Sequence, residues 1–306
     1  MDRQVKKGIW EYQKLLPKVE RNFQKTLDEG STSLKREESI YFKCEYENPT
    51  GSVKDRSLAY QTAVLEEKGI NSAVISSSGN AAISAACYCN LHGIKLTVFV
   101  SPNINKNKLE VLKKSGCRLE ISDKPVSNAF KYAKENNVYN LRQSKDENAL
   151  FGYETLAYEL FTEGSFGEKP DAVFLPVSSG TTLVGFSLGC EKLGYHPAIH
   201  FVQSQSIHPL ARLYDRDFIE SKKSVADAIV ARFTPRQLQI SDIVERSKGF
   251  GWVISDEEAE REHRYLLGKG YDCSVEGGLT LGAVKKAAKN GYKYEHPLCV
   301  LTGKNY

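Results

Sequence analysis

The alternation that begins near residue 72 constrains this chain more than any other feature. Short apolar runs are each followed by a longer stretch with helical spacing: SAVISSS then GNAAISAACYCNLHG, KLTVFV then NKNKLEVLKKSG, RLEIS then PVSNAFKYAKENN. The pattern resumes with DAVFLPV, TTLVGFSLGCEKLG and AIHFVQ. β-favouring runs separated by helix-length segments connect through crossovers, which makes neighbouring strands parallel. Gly69, Gly93, Gly116 and Gly194 stand where the helices should stop. The spacing predicts an α/β fold with mostly parallel sheets.

With 306 residues, 41% of them hydrophobic, the chain can bury one large or two medium cores. It has no internal repeat, low-complexity segment or long Pro/Gly linker, so any two domains are expected to be packed lobes of one unit. The formal charge is +4 and the basic residues are scattered. Neither nucleic acid nor a membrane surface is implied as a partner, whereas a small anionic ligand fits. Seven cysteines without a CxxC pair read as free thiols in a reducing compartment. The N-terminus has no apolar stretch of signal-peptide length, and no run approaches a membrane span, so the expected location is cytoplasmic. Six histidines without HExxH spacing, and cysteines without a zinc pattern, give no metal site. Residues 214–249, charged and interrupted at Pro235, resist assignment.

In open parallel sheets, ligands sit where strands end and helices begin, because helix N-termini offer unpaired N–H groups and a positive dipole end. Three such junctions are rich in Gly and Ser. In NPTGSVKDR, Pro49 and Gly51 suit a turn, Ser52 with Asp55 resembles a capping box, and Lys54 falls in the first helical turn. Lys54 is either an ordinary surface lysine or an amine made nucleophilic by the dipole and by Arg56. In VISSSGNAAISAA, the backbone N–H groups of Ser78, Gly79 and Asn80 suit a carboxylate, and the Asn80 amide can serve a ring oxygen; a tightly packed helix capped by serines is the competing reading. In AVFLPVSSGTTLVGF, Ser178, Ser179, Gly180, Thr181 and Thr182 form a run of donors that could cup a phosphate or simply cap a helix. The match GFSLG to a hydrolase nucleophile elbow puts Ser187 inside a helix instead of on its entry turn.

Taken together and in this order, the junctions resemble the fold type II family of pyridoxal 5'-phosphate (PLP) enzymes, over about residues 8–302. NPTGSVKDR is similar to its Schiff-base lysine motif, SSSGN to its substrate-carboxylate loop and SSGTT to its phosphate loop. GIWEYQKLLPKV, TLDEGSTSL, GYETLAYEL and LTGK resemble segments of the threonine synthases within that family. The resemblance implies two α/β lobes of three-layer α/β/α type with PLP in the cleft between them. The smaller lobe would span 45–149; the larger would span 1–44 and 150–306. It implies Lys54 as the cofactor lysine and Asn80 as partner of the ring hydroxyl. Ser178, Ser179, Gly180, Thr181 and Thr182 would hold the phosphate, Thr302 would lie beside the pyridine nitrogen, and Ser77, Ser78, Gly79 and Asn80 would bind the substrate carboxylate. A homodimer is implied by the resemblance alone.

The implied reaction is that of a PLP-dependent lyase on a small amino acid, foremost the conversion of O-phospho-L-homoserine and water to L-threonine and phosphate. A phosphorylated substrate needs a cation; Arg56, Lys106, Lys108, Arg142 and Arg232 qualify by residue type. The chain departs from the family pattern at Ala81, in the Ser-rich phosphate loop and in SVADAIVARFTPRQ. Serine/threonine dehydratase and cysteine or cysteate synthase chemistries are therefore alternatives. So are a non-catalytic PLP-binding homologue and a serine hydrolase pairing Ser187 with His196, His200, His208, His263 or His296.

Overall fold

The computed structural model describes residues 8–162, 168–222, 224–226 and 228–306. Residues 1–7 and 163–167 of the expected larger lobe, and 223 and 227 of the unassigned segment, lie outside the described residues.

Strands Leu34–Glu37 (β1) and Ile40–Lys43 (β2) precede helix Lys54–Glu67 (α1). The strand–helix alternation then runs Ser72–Ser76 (β3), Asn80–Leu91 (α2), Lys95–Val100 (β4), Lys106–Lys114 (α3), Arg118–Ile121 (β5) and Pro125–Asn136 (α4). Tyr139–Asn140 (β6) and Asn148–Phe161 (α5) follow. Next come Ala172–Pro176 (β7), Thr181–Lys192 (α6), Ala198–Ser204 (β8), Gln237–Arg246 (α7) and Gly251–Ile254 (β9). Asp256–Gly268 (α8), Val275–Lys289 (α9) and Pro297–Val300 (β10) complete the order. Each run read as a strand or helix from residue 72 to 204 forms that element.

The chain divides into two compact units. The first comprises the described residues up to Ser31, Asn48–Thr155 and Tyr306; the second comprises Thr32–Glu47 and Leu156–Asn305. The expected lobes therefore need correction at the N-terminus, because residues 8–31 group with the first unit. Side-chain hydrogen bonds explain why. Tyr60 donates to the Pro17 carbonyl at 3.2 Å, and the Glu29 carboxylate accepts from Tyr88 at 2.8 Å and from the Ile9 amide at 3.3 Å. Burial pushes the Glu29 carboxyl up, since desolvation outweighs those hydrogen bonds.

In the first unit the sheet order is β5-β4-β3-β6, with every pairing parallel. α2 and α4 pack on β3 and β4, and α1 packs on α2. Asn105 caps α3 through its side chain, and Pro125 opens α4 at a position where its missing N–H costs nothing.

In the second unit the order is β1-β2-β10-β7-β8-β9, parallel except for the β1/β2 hairpin. Its core gathers Phe42, Phe174, Val202, Trp252, Ile254, Leu279 and Leu301 under α8 and α9. Ser255 and Glu258 form a capping box at the start of α8, with the Ser255 hydroxyl accepting from the Glu258 amide at 3.2 Å. Lys43 on β2 is fully buried and ion-paired with Glu159, which ties the hairpin to this unit.

All seven cysteines are free, and Cys44, Cys89, Cys190, Cys273 and Cys299 are buried. Burial pushes each of those five thiols up. Among the described residues no helix is long and apolar enough to cross a membrane.

Candidate active site

The lysine turn is built differently from the capping box its sequence suggests. α1 begins at Lys54 with Val53 as its N-cap, and no side chain caps it. Asp55 reaches back past Ser52, accepting from the Thr50 amide at 2.6 Å and from the Thr50 hydroxyl. The carboxylate thus clamps the turn that presents Lys54. Asp55 is fully buried, and desolvation raises its pKa to about 6 in spite of these two donors.

The neighbours of Lys54 come from α5. The Lys54 ammonium lies 5.3 Å from the Tyr153 ring centroid, and the Tyr153 hydroxyl donates to Gln143 Oε1 at 2.9 Å. A Cβ on Gly152 would lie 2.1 Å from the Arg56 carbonyl oxygen, so only glycine lets α5 approach α1 this closely. α5 starts at Asn148, a turn earlier than GYETLAYEL suggests. Arg56 is fully buried, with Nη1 donating to Thr155 Oγ1 at 3.3 Å.

The 77–80 loop follows β3 in the same unit. Ser78 Oγ accepts from the Ser101 amide at 2.8 Å, and the Gly79 N–H reaches Ser77 Oγ at 3.2 Å. That internal bond engages one of the donors expected for a carboxylate. Asn80 opens α2, and its Oδ1 is buried without a hydrogen-bond partner. An orphaned buried amide oxygen is costly, and a donor from a bound ligand relieves it.

Of the five candidate cations, Arg56, Lys106, Lys108 and Arg142 lie in the first unit and Arg232 in the second. Lys106 and Arg232 are exposed. Arg142 donates to Ser144 Oγ at 3.0 Å, and Lys108 is only 5% exposed. The Lys108 ammonium lies 5.2 Å from the Tyr306 ring centroid, and the Tyr306 hydroxyl donates to the Thr50 carbonyl at 3.1 Å.

The 178–182 loop and Thr302 belong to the second unit. The β7 strand ends at Pro176, Gly180 caps α6 at φ +86°, and Thr181 and Thr182 are buried in the first helical turn. The first N–H groups of a helix have no intrahelical acceptor, so this turn offers an anion several donors at once. Ser179 and Thr181 hydroxyls sit 3.2 Å apart beside it. β10 pairs with β7 at Cys299↔Phe174, and Thr302 follows the end of β10 by two residues, as the 178–182 loop follows the end of β7. Ser187 is buried inside α6, so the hydrolase elbow geometry is absent.

Sequence reasoning missed Tyr153, Gln143, Tyr306, Thr234 and Arg236. Tyr153 lies in GYETLAYEL and Thr234 and Arg236 in SVADAIVARFTPRQ, yet nothing in those segments marks the side chain, and each acquires its position through tertiary packing.

The parallel sheets thus carry glycine- and serine-rich turns that lead into helices, one presenting a lysine and another a helix N-terminus open to an anion. The chain matches the family model for pyridoxal-phosphate dependent enzymes over residues 26–303 and belongs to that family. The cofactor is pyridoxal phosphate, and the residues present fit it: the orphaned Asn80 oxygen suits a ring hydroxyl, and the Gly180 turn suits a phosphate. The chain is 24% identical to the threonine synthase of Methanocaldococcus jannaschii over 324 residues, 97% of this chain and 80% of that one. It is 26% identical to the L-serine dehydratase/L-threonine deaminase of Bos taurus over 230 residues, 72% of this chain and 69% of that one. The structure of maize serine racemase matches with a TM-score of 0.78 at 18% identity, over 90% of this chain and 88% of that one, a likeness of fold.

Proposed function

We propose that this protein is a PLP-dependent lyase that makes L-threonine and phosphate from O-phospho-L-homoserine and water. The observation that carries the reading is the clamped lysine turn, in which Thr50 and Asp55 fix the start of α1 and Tyr153 backs the Lys54 amine. Lys54 would hold the cofactor covalently, Asn80 would meet its ring hydroxyl, Ser178–Thr182 would take its phosphate and Thr302 would face its ring nitrogen. When bound, PLP supplies an electron sink for charge that develops at the substrate Cα.

The chain's own residues do the rest. Ser77, Ser78, Gly79 and Asn80 receive the substrate carboxylate. With the cofactor bound, the free Lys54 amine would take the Cα proton and move the Cβ proton, so one base serves both carbons. Thr302 offers the ring nitrogen a hydroxyl instead of a carboxylate, which suits elimination and replacement over transamination. Lys108, buried in the same unit as Lys54, is assigned to the leaving phosphate, since Arg56, the other buried candidate there, donates to Thr155 on α5. Two arguments favour a phosphorylated substrate: this buried ammonium, and threonine synthase relatives aligned over nearly the whole chain. The free thiols fit a reducing, cytoplasmic setting.

The test is a product panel. The purified protein loaded with PLP is incubated separately with O-phosphohomoserine, phosphoserine, serine and threonine, measuring phosphate, oxo acid and amino-acid product. Threonine with equimolar phosphate from O-phosphohomoserine is expected. Oxo acid from serine or threonine, with no product from O-phosphohomoserine, would replace the reading with a dehydratase.

A further inference from the structure

Residues 228–240, whose sequence resists assignment, close over the 178–182 loop of the second unit. Ser178 Oγ accepts from the amides of Val230 at 3.4 Å and Ala231 at 3.3 Å. The segment is anchored behind by Glu276, which accepts from the Ala228 amide at 2.8 Å and from Ser274 Oγ at 2.5 Å. In front, α7 packs directly on the loop: a Cβ on Gly180 would lie 2.3 Å from Ile240 Cδ1 and 3.6 Å from Arg236 Cβ.

Two polar side chains on this strap are withdrawn from solvent. Thr234 is fully buried and its Oγ1 has no hydrogen-bond partner. Arg236 is 6% exposed, with Nη1 donating to Gln239 Oε1 at 2.9 Å. Arg236 is also the N-cap of α7, where the helix dipole disfavours a cation. The N-terminus of α6 begins beside it at Thr181, and neither helix carries an acidic residue in its first turn. Two positive helix ends and a buried Arg236 therefore meet at Gly180, and the orphaned Thr234 hydroxyl lies on the strap between the residues that touch Ser178 and Gly180, an arrangement that an anion stabilises.

We propose that Arg236 and Thr234 complete the phosphate site at 178–182, the guanidinium and the hydroxyl both donating to the phosphate dianion of the cofactor. The inference rests on the reading of that loop as the cofactor phosphate site. It assigns a binding role to the part of the chain that departs from the family pattern.

Cofactor affinity tests it without turnover. Dissociation constants for PLP and for pyridoxal, which lacks the phosphate, are measured by cofactor absorbance for the wild type, Arg236→Met, Arg236→Lys and Thr234→Val. Arg236→Met is expected to weaken PLP binding about 10- to 100-fold and leave pyridoxal binding unchanged, as loss of a charge-assisted hydrogen bond implies. Arg236→Lys should fall between, and Thr234→Val should lose about fivefold for PLP alone, the scale of one neutral hydrogen bond. With a wild type that prefers PLP, an Arg236→Met variant that binds PLP normally, or that loses PLP and pyridoxal alike, overturns the inference. A wild type that binds PLP and pyridoxal equally overturns the phosphate-loop reading beneath it.

Discussion

Asp55 sets two effects against each other at one atom group. Two Thr50 donors favour the carboxylate, yet full burial disfavours it more, and the balance lifts its pKa from 3.8 to about 6. A carboxyl whose folded pKa exceeds its unfolded one stabilises the fold below the unfolded value. That contribution is lost as pH rises through about 6, a penalty of about 3 kcal/mol at neutral pH. Urea unfolding of wild type and Asp55→Asn at pH 4 and pH 7 measures it. The difference between the two proteins should move by about 2 kcal/mol in the variant's favour on going from pH 4 to pH 7, since part of the effect is already spent at pH 4; a constant difference would mean that Asp55 titrates as in the unfolded chain. This residue also shows where local reading reaches its limit. Ser52 and Asp55 have capping-box spacing, but a buried carboxylate takes the pair of donors nearest its own turn, and those belong to Thr50.

At the scale of elements, the contact of α1 with α5 depends on Gly152. Replacing a helical glycine by alanine ordinarily gains about 1 kcal/mol of helix propensity. Here the new methyl would meet the Arg56 carbonyl at 2.1 Å, and backbone cannot swing aside as a side chain can. Overpacking costs about 1–3 kcal/mol, so Gly152→Ala should lower stability and displace Tyr153 from Lys54. Thermal unfolding that is unchanged or raised would refute that account. The strands and helices between residues 72 and 204 were legible because their apolar spacing is local and their junctions carry Gly, Ser and Asn. The strap at 228–240 was not, since Gly180, Ser178 and Glu276 hold it from elsewhere in the chain. Of the candidate site, the motif residues were legible as a set. Lys108 could be set apart from the exposed Lys106 and Arg232 only once its burial was known.

At the scale of the molecule, the sequence separated two lobes but misjudged where the N-terminus belongs. Residues 8–31 carry no strand, and their allegiance rests on hydrogen bonds to Tyr60 and Tyr88 that the family-like segments there do not announce. Cofactor binding couples to the stability of the whole chain by mass action: a ligand at 100 times its dissociation constant adds about 2.7 kcal/mol. Saturating PLP should therefore raise the melting temperature, and Lys54→Ala should lose most of that rise together with turnover and any borohydride-trapped lysine adduct detected by mass. A fully active Lys54→Ala protein would remove Lys54 from the chemistry. The buried thiols have a consequence of a different kind. Cys89 lies in the first unit, and Cys44, Cys190, Cys273 and Cys299 lie in the second. Shielded and held in the unreactive protonated form, they are native reporters whose alkylation rates, resolved by peptide, time the opening of each unit without an introduced probe.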